Sequence, residues 1–103
     1  MNLILDEDKF DEHQAILAGE LIEQIKRHLE EAGLEGDKLK ELTGRIAFSV
    51  ACVIDGASPI EWEGTEVHPY LTFRSGDDEI MHWNDSSSIH EYVFGTLDDI
   101  FGE

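Results

Sequence analysis

Basic side chains are scarce in this chain. Seven Lys and Arg stand against 24 Asp and Glu in 103 residues, a formal net charge of -17. A surface so poor in cations cannot displace the counterions of a phosphate backbone or an anionic bilayer, so neither nucleic acid nor a membrane is an expected partner. Cysteine is nearly absent as well: Cys52 alone can make no internal disulfide, which fits a reducing compartment, and its apolar neighbours predict a buried, inert thiol. No apolar run approaches the ~20 residues of a membrane span. The opening Met1-Asn2-Leu3-Ile4-Leu5-Asp6 has neither the basic region nor the apolar stretch of a secretion signal. A cytoplasmic protein is expected.

Local catalytic signatures are missing too. There is no cysteine pair, no His-Glu-x-x-His, and no glycine cluster followed by lysine. Cys52 and Ser86-Ser87-Ser88 are the available nucleophile types, but nothing beside them in sequence supplies a base or an oxyanion site. The acidic clusters Asp6-Glu7-Asp8 and Asp77-Asp78-Glu79 do not fit a calcium loop, because Phe10 and Leu17, or Ser88, would fall on ligand positions. No cofactor is expected.

What is present is enough apolar mass to fold. Leu, Ile, Val and Phe supply 29 of 103 residues, above the level of roughly 20% below which a highly charged chain stays disordered. The length suits one domain, 1–103, without internal repeat or linker. Phe10, Leu17, Leu21, Ile22, Ile25, Leu29 and Ala32 recur at helical spacing from about Asp8, with Gly33 in the place of a C-terminal cap. The run from Ile46 to Ile54 reads by periodicity as a buried strand or a buried helix. Its punctuation favours a helix: Asp37 as N-cap, one face of Leu39, Leu42, Ile46, Val50 and Val53, then Gly56 and Pro59. Gly44, Ala47 and Ala51 would then let the first helix approach closely.

Beyond Gly56 the pattern turns to sheet. Ile60 and Trp62 alternate with Glu61 and Glu63 before Gly64, and Tyr70 to Arg74 is expected to pair with Glu79 to Trp83 across a Ser75-to-Asp78 turn. A last helix is predicted after Asn84-Asp85-Ser86-Ser87-Ser88, with Ser88 and Glu91 at capping-box spacing and Ile89, Tyr92, Val93, Leu97, Ile100 and Phe101 as its inward stripe. The fold class is therefore α+β: a helical hairpin, a small antiparallel sheet of two or three strands, and a C-terminal helix, in the order ααβ(β)βα, with one layer of sheet on helices.

Function follows most directly from charge. From Ser75 to Glu103 there are eight acids and no Lys or Arg, and Asp98 and Asp99 occupy a helix end where the macrodipole favours cations. The expected function is a small acidic interaction module, of the inhibitor, immunity-type or adaptor kind, that binds a basic protein surface. Its candidate partner-binding residues are Asp77, Asp78, Glu79, Trp83, Asp85, Phe94, Asp98 and Asp99, aromatics and carboxylates being the usual anchor and rim of an interface. Two alternatives stand beside it. One is a small metal-dependent hydrolase using His82, Asp85, His90 and Glu91; the other is a self-associating domain, a homodimer with an aromatic interface and no separate activity.

Overall fold

A computed structural model describes residues 1–83 and 85–102. Asn84, read as part of the cap segment, and Glu103, read as part of the terminal acidic set, lie outside the described residues. The order of elements is β1 (Asn2–Leu5), α1 (Glu7–Glu31), α2 (Gly36–Ile54), β2 (Glu61–Trp62), β3 (Thr65–Glu66), β4 (Phe73–Gly76), β5 (Glu79–His82), a 3-10 turn (Ile89–Tyr92) and α3 (Val93–Phe101). The α+β class and the ααββα core of the expected order are present. An additional strand, β1, precedes them and pairs in parallel with β5, so the three-stranded sheet β1-β5-β4 is mixed rather than antiparallel. The expected hairpin is one of its halves, with the first strand shifted from Tyr70–Arg74 to Phe73–Gly76 and the turn reduced to Asp77-Asp78. Among the described residues no helix is long and apolar enough to cross a membrane.

Helix α1 starts where Asp6, in extended conformation, accepts a hydrogen bond from the Lys9 N–H (3.1 Å), which satisfies one of the orphan donors of its first turn. Its buried positions Phe10, Gln14, Ala18 and Ile22 are spaced by four and form one stripe. The helix ends at Glu31, and Gly33 just beyond the Ala32 cap has a φ of 99° that only glycine adopts without strain, as its sequence position predicts. The segment 46–54 is helical, as its punctuation indicates. The buried face of α2 is rotated from the predicted one, to Leu39, Thr43, Gly44, Ala47 and Ala51, and leaves Val50 and Val53 exposed. It also starts one residue before Asp37, with Glu35 at the cap position and no side-chain capping bond. Cys52 is half-buried.

The main core joins Ala18 and Ile22 of α1, Ala47 and Ala51 of α2, and Ile89, Val93 and Leu97. The predicted inward stripe of the last helix is thus the third wall of the core, with Tyr92, Ile100 and Phe101 at its margin. The small-residue strip of α2 admits α3 as well as α1: a Cβ on Gly44 would lie 2.7 Å from Leu97 Cδ2 and 3.4 Å from Phe94 Cε1. Gly44→Val is expected to cost about 2 kcal/mol in urea unfolding through overpacking. Gly44→Ala should stay within about 1 kcal/mol of wild type, because helix propensity offsets a small shift of the Leu97 tip.

The sheet sits at the N-terminal end of α1. Phe73 meets the rings of Phe10 (5.2 Å) and His13 (5.3 Å) edge to face, and Phe10 and Met81 are fully buried there, outside the main cluster. The β4–β5 ladder slips between Arg74 and Gly76, which leaves Ser75 as the extra residue of a bulge. Strands β2 and β3 form a separate two-stranded hairpin. Its turn residues Glu63 (φ 48°) and Gly64 (φ 87°) both have positive φ, the backbone of a type I′ turn that suits the twist of a two-residue loop.

Candidate functional site

A highly connected polar group is Asp55, at the C-terminal cap of α2. Its side chain is wholly buried. One carboxylate oxygen accepts from the Ser87 hydroxyl (2.5 Å); the other accepts from the His90 main-chain N–H (2.8 Å) and the His90 Nδ1–H (2.5 Å). The Ser86 hydroxyl donates to the Asp55 carbonyl (3.3 Å). Burial pushes the carboxyl pKa up, but the bonds from Ser87, the His90 main chain and ring, and the Ile89 main chain outweigh it and hold it below the ordinary 3.8. The neighbouring Ser88 N–H donates to Gln14 Oε1 (2.6 Å), and Gln14 in turn donates to Asp11 (3.1 Å). Ser88 itself makes no side-chain capping bond, so the predicted capping box is replaced by two distant side chains, Asp55 and Gln14.

This node contains Ser, His and Asp but not the order that nucleophilic catalysis needs. In a triad the imidazole lies between hydroxyl and carboxylate; here the carboxylate lies between the other two, and the hydroxyl proton is spent on it. His90 packs edge-on against Phe48 (5.9 Å), which stacks on Phe94 (5.4 Å). A hollow of about 410 Å³ is lined by His13, Ile16, Leu17, Glu20 and Phe73, and one of about 250 Å³ runs from Gly56 to Glu61 and Glu66 to His68; neither reaches His90. The arrangement is a fixed joint between α2 and α3.

The residues of the metal reading are drawn to different partners. His82 Nδ1 lies 2.8 Å from the Tyr70 hydroxyl, which also donates to the Trp83 carbonyl (2.6 Å). The Tyr70 hydroxyl thus bridges the His82 ring and the Trp83 carbonyl. His90 is held by Asp55, while Asp85 and Glu91 are exposed. Among the described residues no group of three or more His, Cys, Asp or Glu is placed to hold a metal ion.

The candidate partner-binding residues divide between two ends of the molecule. Asp77 and Asp78 form the β4–β5 turn, where the Met1 ammonium lies 3.8 Å from Asp78 and Glu79 begins β5; Trp83 and Asp85 follow the far end of that strand. Helix α3 runs beside the other half of α1, with Thr96 over Gly19 and the Phe101 ring 5.3 Å from Lys26 Nζ. Phe10 and Lys26 are separated by roughly 24 Å of axis at about 1.5 Å per residue. Asp98 and Asp99 therefore do not share a face with Asp77 and Asp78. Asp98 is also met by Lys40 of α2 at 2.9 Å, a cation from outside the run in which none occurs. Phe94 is 52% exposed, although one face of its ring rests on Phe48.

The strongest exposed feature lies on the strand that the sequence marks before Gly64. Trp62, at 76% exposure, is the most exposed large apolar side chain among the described residues. It pairs with Thr65 on the β2–β3 hairpin, whose exposed Glu61 and Glu66 pair with each other and whose turn carries exposed Glu63. Glu61 braces the turn by accepting from the Gly64 N–H (3.0 Å), and Glu66 lies 3.4 Å from His68. No Lys or Arg occurs between Arg45 and Arg74. The alternation Glu-Trp-Glu before Gly64 was the available signal, since it places an indole on a strand too short to bury it. Comparison with protein-family models, curated proteins and solved structures finds no match.

Proposed function

We propose that the protein is an acidic interaction module that docks a basic protein surface, with the Trp62 hairpin as its anchor. The observation that carries this reading is an indole held in solvent on a two-stranded hairpin whose strands and turn also carry the exposed Glu61, Glu63 and Glu66, in a stretch of sequence from Arg45 to Arg74 with no Lys or Arg between. An exposed tryptophan is an unusual expense of apolar surface, and indole beside carboxylates suits Lys and Arg twice, through cation–π and through charge. The remaining exposed acids, Asp77, Asp78 and Asp99 among them, extend a single-sign field that speeds encounter with a cationic partner.

The test begins with capture of a partner from source lysate at low salt and elution at high salt, followed by interferometry with the purified pair. The association rate is expected to fall at least roughly tenfold between about 50 and about 500 mM salt. Trp62→Ala should weaken binding by about 2 kcal/mol, chiefly through faster dissociation. Alanine at both Asp98 and Asp99 should slow association at low salt by a smaller factor, since Asp98 already has Lys40. A flat association rate across that salt range would sink the reading.

A further inference from the structure

Strand β1 forms an edge of the three-stranded sheet and, among the described residues, pairs only with β5. The Asn2 N–H donates to the Asp78 carbonyl (2.8 Å). Strand alternation therefore turns the main-chain groups of Asn2 and Ile4 toward β5 and those of Leu3 and Leu5 outward. The sequence Asn2-Leu3-Ile4-Leu5 carries none of the Pro, Lys or inward charge that blunts an open edge. Leu3 and Leu5 are also 66% and 53% exposed, in register with Ile80 and His82, so the edge offers both unpaired backbone and apolar surface.

Charge selects what can pair there. Exposed Asp77 and Asp78 lie at one end of β1, where the Met1 ammonium 3.8 Å from Asp78 offsets one of the two charges, and exposed Asp6, Glu7 and Asp8 lie at the other. A second copy would bring a further formal charge of -17 to an edge already flanked by carboxylates. An extended segment with alternating apolar residues and Lys or Arg at both ends is complementary to the edge in backbone, side chain and charge. We propose that β1 accepts such a segment of a basic partner as an added strand, Leu3 and Leu5 supplying the main-chain pairing and the flanking acids clamping its ends. This rests on the reading of the protein as a module for basic partners, and adds a contact distinct from the Trp62 hairpin.

The probe is a synthetic peptide with Lys-Arg at each end and alternating Val and Thr between, titrated at low salt by fluorescence anisotropy with amide hydrogen exchange on the saturated complex. The peptide is expected to bind and to slow exchange at Leu3 and Leu5 by roughly tenfold or more, leaving the Trp62 amide unchanged. Leu3→Pro removes an outward N–H that the internal ladder does not use, and Leu3→Lys keeps that N–H but sets a like charge against the peptide; each should weaken binding roughly tenfold or more. Binding with unchanged exchange at Leu3 and Leu5 overturns the β1 site while the basic-partner reading stands. Failure of the peptide to bind overturns strand addition, and the salt dependence of the captured partner still judges the parent reading by itself. A doubled mass in light scattering that Leu3→Lys abolishes assigns the edge to a second copy and likewise overturns the proposal.

Discussion

Replacing Asp55 with alanine is expected to destabilise the protein by about 3 kcal/mol, the cost of removing the common acceptor from a buried, charge-assisted network. The Ser87 hydroxyl, the His90 ring and main-chain N–H groups at the start of the 3-10 turn would all lose their partner. The carboxylate sits at an end of α2 where the macrodipole disfavours it, and at the start of the 3-10 turn that leads into α3, where free N–H groups welcome it. The bonds it accepts from Ser87, from the His90 main chain and ring, and from the Ile89 main chain decide the balance in favour of the second effect. Ser87→Ala should cost about half as much, since the other donors remain. Urea unfolding followed by circular dichroism measures both variants.

Acidity provides an independent check. The folded pKa of Asp55 lies below its unfolded value, so near that range the unfolded chain binds more protons than the folded one. The contribution is fully present above the ordinary carboxylate range and is lost as pH falls through the folded value. The gap between wild type and Asp55→Ala should thus narrow as pH falls below about 4. A variant within about 1 kcal/mol of wild type at neutral pH would show that Asp55 is not the joint described.

Sequence reasoning reached those parts of the fold that are locally determined. The α1 helix, the Gly33 stop and the inward face of α3 are each set by residues within a few positions of one another. The buried line of α1, however, runs through Phe10, Gln14, Ala18 and Ile22, leaving Leu17, Leu21, Ile25 and Leu29 half-buried and Ala32 exposed. The β1 strand was not legible, because four residues show no alternation to count and their partner, β5, lies more than seventy positions away. The capping of the last helix failed for the same reason. Ser88 and Glu91 offered a local solution, yet Asp55 and Gln14 are brought to those N–H groups by tertiary packing. One clue existed: an acid at the end of an apolar helix, where a cation belongs, implies a partner elsewhere. The acidic residues were legible as exposed, but their division between sheet and α3 depends on which half of α1 each element covers.

Phe10→Ala is expected to be the most damaging core substitution outside the main cluster, at about 3 to 4 kcal/mol. Phe10 is fully buried and meets Phe73 edge to face at 5.2 Å, while the main core of Ala18, Ile22, Ala47, Ala51, Ile89, Val93 and Leu97 lies further along α1. The ring therefore anchors the sheet to the helices, and its loss should act unevenly. Amide exchange of Ile4 and Met81 should accelerate toward that of a locally unfolded segment, whereas Ile22 and Ala47 keep most of their protection. Phe10→Leu should cost only about 1 kcal/mol, because most of the buried volume is retained. The functional consequence separates the two docking surfaces: with the sheet released, the β1 edge has no fixed register, so strand addition should weaken although Leu3 and Leu5 are unchanged. The Trp62 hairpin belongs to a different sheet, and its contribution to partner binding should persist. Equal loss of protection in sheet and helices at low denaturant would instead mean that the sheet and the bundle unfold as one cooperative unit, with Phe10 serving both.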